Sequence, residues 1–164
     1  MLVMGIDPGS LVTGFGIVEY NHPNINLVSS GCIKTRRSES FDRRLKIIFE
    51  EISSIIKKFN PDQIALEEVF YSINVKTALQ IGHVRGVALL AASLNNVNIV
   101  EYTPRMVKQA VTGNGGASKE QVQFMVQKIL RSNSPSIPFD VSDALATAIC
   151  HCHRYYISKS VDGI

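Results

Sequence analysis

Asp7, Glu67, Glu68, Asp140 and Asp143 stand at positions where the sequence invites chemistry. Asp7 ends an otherwise apolar run, Leu2 to Asp7, that reads as a buried strand. Glu67 and Glu68 end a second short run, Gln63 to Glu68. Asp140 and Asp143 are three residues apart at the start of a predicted helix, so both fall on one face. In an open α/β sheet the ends of neighbouring strands converge on one crevice. If the first and fourth strands are adjacent, Asp7 and Glu67 meet there. Several carboxylates in one crevice repel one another unless a hard divalent cation neutralises them. Such a cluster is expected to bind Mg²⁺ or Mn²⁺, and a pair of ions ~3.5–4 Å apart suits phosphodiester cleavage.

Each acid also has a plainer role. Asp7 before Pro8-Gly9 could hydrogen-bond the turn. Asp140 could be an N-cap, with Asp143 favoured by the helix dipole. Side chains alternate along a strand, so one of Glu67 and Glu68 must point away from the crevice. The constellation is more specific than any member of it.

Two other stretches invite chemistry less. Gly113-Asn114-Gly115-Gly116-Ala117-Ser118-Lys119 resembles a phosphate loop but lacks the Gly-Lys-Ser/Thr ending, and no strand directly precedes it. A flexible glycine loop presenting Lys119 to a phosphate is retained. Cys150-His151-Cys152-His153 on a helix point around its axis and cannot converge on one ion. Core cysteines and surface histidines are expected.

The elements that must position these groups can be read from periodicity. Leu2–Asp7, Gly14–Tyr20 and Leu27–Lys34 read as a three-stranded antiparallel meander. In the third strand Val28 and Cys32 are expected on one side. Phe41, Leu45, Ile48, Ile52, Ile55 and Phe59 recur at spacings of 4, 3, 4, 3 and 4, one apolar stripe on a helix. Asn60-Pro61 ends it. A strand at Gln63–Glu68 precedes a nearly apolar helix from about Asn74 to Asn95, and a fifth strand spans Asn98–Tyr102. Pro104 starts a helix through Val111, and Ser118 with Gln121 forms a capping box for the next. The last helix runs from Asp140 to about Tyr156. The order β-β-β-α-β-α-β-α-α-α predicts an α/β fold with a mixed sheet flanked by helices.

The 164 residues predict one nuclease-sized domain over 1–157, with a frayed tail at 158–164. That length is too short for a two-lobed ATPase, which Asp7-Pro8-Gly9 would otherwise suggest. No apolar run approaches the ~18 residues a membrane span needs, and three cysteines fit a reduced, cytoplasmic setting. The chain carries 17 basic and 14 acidic residues, a net charge of +3. With four acids neutralised by cations, 17 basic residues face 10 acidic ones, or +7. That balance suits an anionic partner such as nucleic acid. Candidate phosphate contacts are Arg85, Arg105, Lys108 and Lys119. Phe70 and Tyr71, just before the apolar helix, and Asn74 at its start are candidate DNA contacts. Ala78, Gly82, Gly86 and Leu89 on that helix form a candidate dimer seam, because the glycines permit close helix approach.

The chain resembles the RuvC family of Holliday-junction resolvases over about residues 1–156. The matching stretches are Gly5-Ile6-Asp7-Pro8-Gly9-Ser10 with Thr13-Gly14, Ser30-Gly31-Cys32-Ile33, Glu67 to Phe70, Gly86-Val87-Ala88, Val107-Lys108-Gln109, Lys119 to Val126 and Asp140 to Ala146. The resemblance implies a ribonuclease H-like fold with a five-stranded sheet of order 3-2-1-4-5. It implies a homodimer that cuts four-way DNA junctions in recombination and repair, with two Mg²⁺ ions per site and Mn²⁺ as a substitute. The family's catalytic acids map onto Asp7, Glu67, Asp140 and Asp143. Lys108 and Lys119 match positions near the scissile phosphate, and Phe70 matches an aromatic that stacks on bases at the junction centre. The resemblance also implies action beside the RuvA–RuvB branch-migration complex. Glu68 stands where the family often has Gln, and the C-terminal tail is short. Rival readings are a compact YqgF-type nuclease acting on RNA and a non-catalytic junction-binding protein.

Overall fold

The computed structural model describes residues 1–68, 75–131 and 137–161, with side chains through 157. Five strands form one mixed sheet in the order β3-β2-β1-β4-β5. β1 (Leu2–Asp7), β2 (Val12–Asn21) and β3 (Asn24–Lys34) make the antiparallel meander, and β4 (Gln63–Glu67) and β5 (Asn98–Tyr102) add parallel to β1. The predicted sheet order is the observed one.

Helices cover both faces. α1 (Phe41–Phe59) and α2 (Val75–Leu94) lie on one side, where Ile48, Ile52, Val84 and Ala88 pack on Met4, Ile6, Ile17, Ile64 and Leu66. α3 (Pro104–Thr112), α4 (Lys119–Ile129) and α5 (Phe139–Val161) lie on the other, against Val3, Val18, Tyr20 and Ala65. The local signals act as their chemistry dictates. Asn60 caps α1 in the left-handed conformation (φ 47°), and Ser118 and Gln121 exchange both capping-box bonds at the start of α4.

Three expectations are corrected. β3 does not alternate regularly. Leu27 pairs with Val18 but Ser29 with Ile17, so Val28 is bulged out and exposed. The bulge puts Ile25 in the core under α5 and Ile33 in the core under α1 and α2. α5 runs on to Val161, so the tail expected from residue 158 begins as helix. Finally, α2 is long and apolar enough to cross a membrane by length and composition. Arg85 within it is ion-paired to Glu101 of β5, and Val84, Ala88, Ala91 and Ala92 are buried, so the helix lies against the sheet.

α5 is the organising helix. From Ser142 to Cys152 only Asp143 escapes full burial. It sits unusually close to β1 and β2 because the residues beneath it have no side chain. A Cβ on Gly5 would overlap the carbonyl oxygen of Ala144 and stand 2.9 Å from the Ala148 nitrogen. One on Gly14 would overlap the carbonyl of Asp140, and one on Gly16 the side chain of Leu145. Gly5→Ala is therefore expected to destabilise the protein by about 1–3 kcal/mol or more, the usual range for overpacking. Chemical denaturation checks this; unchanged stability would mean that α5 can lift from the sheet without loss.

Candidate active site

The carboxylates converge because four elements end together. Ile6 pairs with Leu66 across the parallel β1–β4 ladder, so the next residues, Asp7 and Glu67, are side by side. Alternation puts both on the α5 face, with Gly5 and Ala65, and turns Glu68 the other way. The first turn of α5 rests on Gly14, the β2 partner of Asp7, which delivers Asp140 and Asp143 to the same corner. The loop after Asp7 is strapped down. Thr13 Oγ1 donates to the Gly9 carbonyl at 2.7 Å, Thr35 Oγ1 to the Ser10 carbonyl at 2.7 Å, and Arg44 Nη1 to that same Ser10 oxygen at 3.3 Å.

Lys119 enters from the far side. Its Nζ donates to Asp143 Oδ2 at 2.8 Å. The glycine-rich loop before it is pinned rather than free. The Gln109 side chain donates to the Gly113 carbonyl at 2.7 Å and accepts from the Gly115 N–H at 3.0 Å, while Thr112 Oγ1 accepts from the Asn114 N–H at 3.1 Å. The expected flexible loop is thus a fixed one.

Electrostatics mark the cluster. Burial pushes the Asp7 carboxyl from an ordinary 3.8 up to about 7; the charges of Asp143, Glu67 and Asp140 add to this and Lys119 opposes it. Burial also pushes Glu67 from 4.5 to about 7, with Asp143 adding and Lys119 and Lys108 opposing. The Lys119 ammonium is held above its usual value, first by its hydrogen bond to Asp143 and further by the charges of Asp143, Asp7 and Glu67.

The structure brings Asp7, Glu67, Asp140, Asp143 and Lys119 together, with Lys108 in electrostatic reach of Glu67. It does not bring Arg85, whose guanidinium pairs with Glu101 on the opposite face of the sheet. Arg105 packs under Gly115, and no ion pair joins it to the acids among the described residues. Phe70, Tyr71 and Asn74 lie outside the described residues. Sequence reasoning missed the supports: Thr13, Thr35 and Arg44 behind Asp7, and Gln109 behind Lys119. It also missed Cys32, whose thiol is raised first by burial and then by the charges of Asp140 and Asp7. Nothing in the spacing of these residues marks them, since their partners are backbone groups or strands distant in sequence. The four-residue Cys-His run is corrected in part: Cys150 and Cys152 are core residues, but so is His151, whose Nδ1 shares a 2.8 Å hydrogen bond with the Tyr102 hydroxyl.

The family model for the crossover junction endodeoxyribonuclease RuvC matches residues 3–151. The chain belongs to the RuvC family. Curated RuvC relatives include one from Pelotomaculum thermopropionicum, 48% identical over 94% of each chain, and one from Ruminiclostridium cellulolyticum, 50% identical over 92% of this chain and 91% of that one. A Thermus thermophilus RuvC solved in complex with Holliday junction substrate superposes with a TM-score of 0.91 at 33% identity, covering 96% of each chain. The fold is therefore ribonuclease H-like. The yeast mitochondrial Holliday junction resolvase Ydc2, at 14% identity and a TM-score of 0.70, shares the fold.

RuvC-family nucleases depend on a metal, and the donor chemistry here fits one. Four carboxylates offer hard oxygen ligands suited to Mg²⁺, and burial, with the neighbouring carboxylates adding, pushes Asp7 and Glu67 toward their protonated forms. Among the described residues, no three acidic, histidine or cysteine side chains already close into a cage. The fit is one of donor type and charge.

The raised acids make stability depend on pH. The folded state holds the Asp7 proton more tightly than the unfolded chain, so ionising Asp7 costs stability between about pH 4 and pH 7 and above. Buried His151, with its pKa lowered by burial, contributes the opposite slope. Comparison with Asp7→Asn isolates the Asp7 part. In EDTA the variant is expected to melt above wild type, by more at pH 8 than at pH 5. Equal differences at both pH values would show that Asp7 ionises without penalty.

Proposed function

We propose that the chain is a Mg²⁺-dependent endonuclease that resolves four-way DNA junctions in recombination and repair. It would cut paired strands to leave 5′-phosphate and 3′-hydroxyl ends. The reading rests on one observation above all: in a RuvC-family chain, four carboxylates and a lysine meet where the adjacent parallel strands β1 and β4 end.

Asp7, Glu67, Asp140 and Asp143 would hold the cations, two per site. When bound, those ions supply an activated water and charge stabilisation at the leaving 3′-oxygen. The protein's own groups do the rest. Buried Asp7 and Glu67 stand in a partly desolvated corner where charge interactions are strong. Lys119, steadied by Asp143 and by its pinned loop, is placed to take the negative charge that builds on the phosphoryl oxygens. Lys108, near Glu67, draws the backbone in. Phe70 is assigned to bases at the junction centre on the strength of the family resemblance, and Tyr71 and Asn74 beside it are assigned to the DNA.

The second subunit is assigned to α2. Its outer face exposes Leu79 and Leu90 at 60% and 52%, and Gly82 and Gly86 have nothing packed on them. With Ala78 they line a groove of about 530 Å³, and Leu89 is exposed on the same helix. That apolar surface is larger than a helix with one buried face requires. Two copies joined there would present two sites for two strands. RuvA–RuvB is the branch-migration partner this reading assigns, in the cytoplasm, a setting that suits three free thiols.

A cleavage assay on a four-way junction, a linear duplex and an RNA–DNA hybrid tests the substrate. Cutting is expected on the junction alone, with Mg²⁺ and not with EDTA; cutting of the hybrid instead would overturn the reading. Asp7→Asn should slow cleavage by roughly a hundredfold or more, the scale of losing a well-placed charged group, while junction binding survives in a gel-shift assay. Activity within about threefold of wild type would remove Asp7 from the catalytic set. Gly86→Leu should yield monomers by size-exclusion chromatography that nick junctions without resolving them. A folded variant that stays dimeric would place the seam elsewhere.

A further inference from the structure

A cavity of about 870 Å³ lies between α3, the C-terminal part of α5 and the β2–β3 turn. β1 and β2 run antiparallel, with Asp7 beside Gly14 and Leu2 beside Glu19, so Tyr20 and the turn at His22-Pro23 mark the far end. α3 contributes Arg105 and Met106 to the cavity, and the C-terminal part of α5 contributes His153, Arg154 and Tyr156. Asp143 and Arg154 are eleven residues apart on α5, roughly 16 Å at the helical rise. None of Asp7, Glu67, Asp140 and Asp143 lines the cavity.

The lining is chemically one-sided. Arg105 and Arg154 both line the cavity, and among the described residues no acidic side chain lines it and neither guanidinium has a carboxylate partner. His22 and Tyr156 are stacked face to face, with centroids 3.7 Å apart and planes within 5°, which gives a flat aromatic wall. The His22 Nδ1 shares a 3.0 Å hydrogen bond with the Tyr20 hydroxyl, which fixes the ring in that pose. His153 Nδ1–H donates to the Ala110 carbonyl at 3.1 Å, leaving its Nε2 for a ligand. The remaining lining is Pro23, Met106, Ala110 and Ile157, which are apolar, with Thr103 and Gln109 as further polar groups. Volume and composition match a small-molecule site, mostly apolar with a few placed polar groups.

We propose that this cavity binds a nucleotide unit, its base stacked on the Tyr156–His22 pair and its phosphate on Arg105 and Arg154. Flat rings stack on aromatic faces with little regard to which base is present. Guanidinium groups match phosphate oxygens in a bidentate fork. A base and a phosphate are the two chemistries the walls offer together. The nucleotide could be free, or it could be the phosphorylated end of a DNA strand. The site is separate from the catalytic reading and stands or falls without it.

Equilibrium binding tests the proposal, in EDTA so that cation-mediated capture at the acids does not contribute. The probes are AMP, dTMP, 5′-phosphorylated hexathymidylate and the same oligonucleotide without its phosphate. Binding of a phosphorylated probe is expected to weaken about tenfold in Arg154→Gln and in Tyr156→Ala, and to persist in Asp7→Asn and Tyr156→Phe. Junction cleavage by Arg154→Gln should match wild type. Binding of the mononucleotides makes a free nucleotide the occupant, and binding of the phosphorylated oligonucleotide alone makes it a strand end. The proposal is overturned if no phosphorylated probe binds, if the dephosphorylated oligonucleotide binds as tightly, if both α5 variants bind like wild type, or if Asp7→Asn abolishes binding.

Discussion

The fit of α5 onto the glycines of β1 and β2 is the contact on which the rest of this molecule depends. A helix normally stands off a sheet by the depth of its side chains. Here the backbone of α5 at Asp140 and Ala144 rests directly over Gly14 and Gly5. The helix is nearly encircled by core, with Ala144, Leu145, Ala148 and Ile149 fully buried. Dispersion and burial therefore hold it at one depth and one rotation. Because its first turn sits over the end of β1, the same packing that stabilises the fold sets where Asp140 and Asp143 point.

That placement forces like charges together. Asp7 and Glu67 are brought side by side by parallel pairing, and α5 adds two more acids above them. Folding thus brings together groups that burial and mutual repulsion hold toward the protonated state. The surrounding architecture resists relaxation. Thr13, Thr35 and Arg44 strap the segment after Asp7, and Gln109 clamps the loop that leads to Lys119. A site held in this way meets a charged substrate with little rearrangement. The ammonium of Lys119 offsets part of the repulsion through its contact with Asp143, and divalent cations would complete the balance.

The two faces of the sheet divide the remaining work. The α3–α4–α5 side carries both the acids and the arginine- and aromatic-lined cavity. The α1–α2 side is sealed against the sheet by Ile48, Ile52, Val84 and Ala88, while the outer surface of α2 keeps leucines in solvent. Arg85 illustrates the division. As a basic residue in a nucleic-acid enzyme it invites a phosphate, yet it lies on the α2 side and is spent on Glu101.

Much of this was readable in the sequence because it rests on local rules. The 4-3-4-3-4 stripe from Phe41 to Phe59 marked α1 to the residue, Pro104 and the Ser118–Gln121 box marked two helix starts, and short apolar runs bounded by turns marked the strands. The meander and the following strand–helix–strand units determined an α/β mixed sheet. Carboxylates at the ends of apolar runs pointed to a shared corner. Other features depend on partners far apart in the chain. The bulge at Val28 is a mismatch between two strands and leaves no trace in either alone. The burial of His151 needs Tyr102, 49 residues away. Whether the glycine loop is slack or pinned was decided by two side chains of the preceding helix, Gln109 and Thr112, folding back onto its backbone. Local preference reaches only as far as a turn or a helix; charge, contact and depth at the site are properties of elements packed against one another, and only the tertiary structure could decide them.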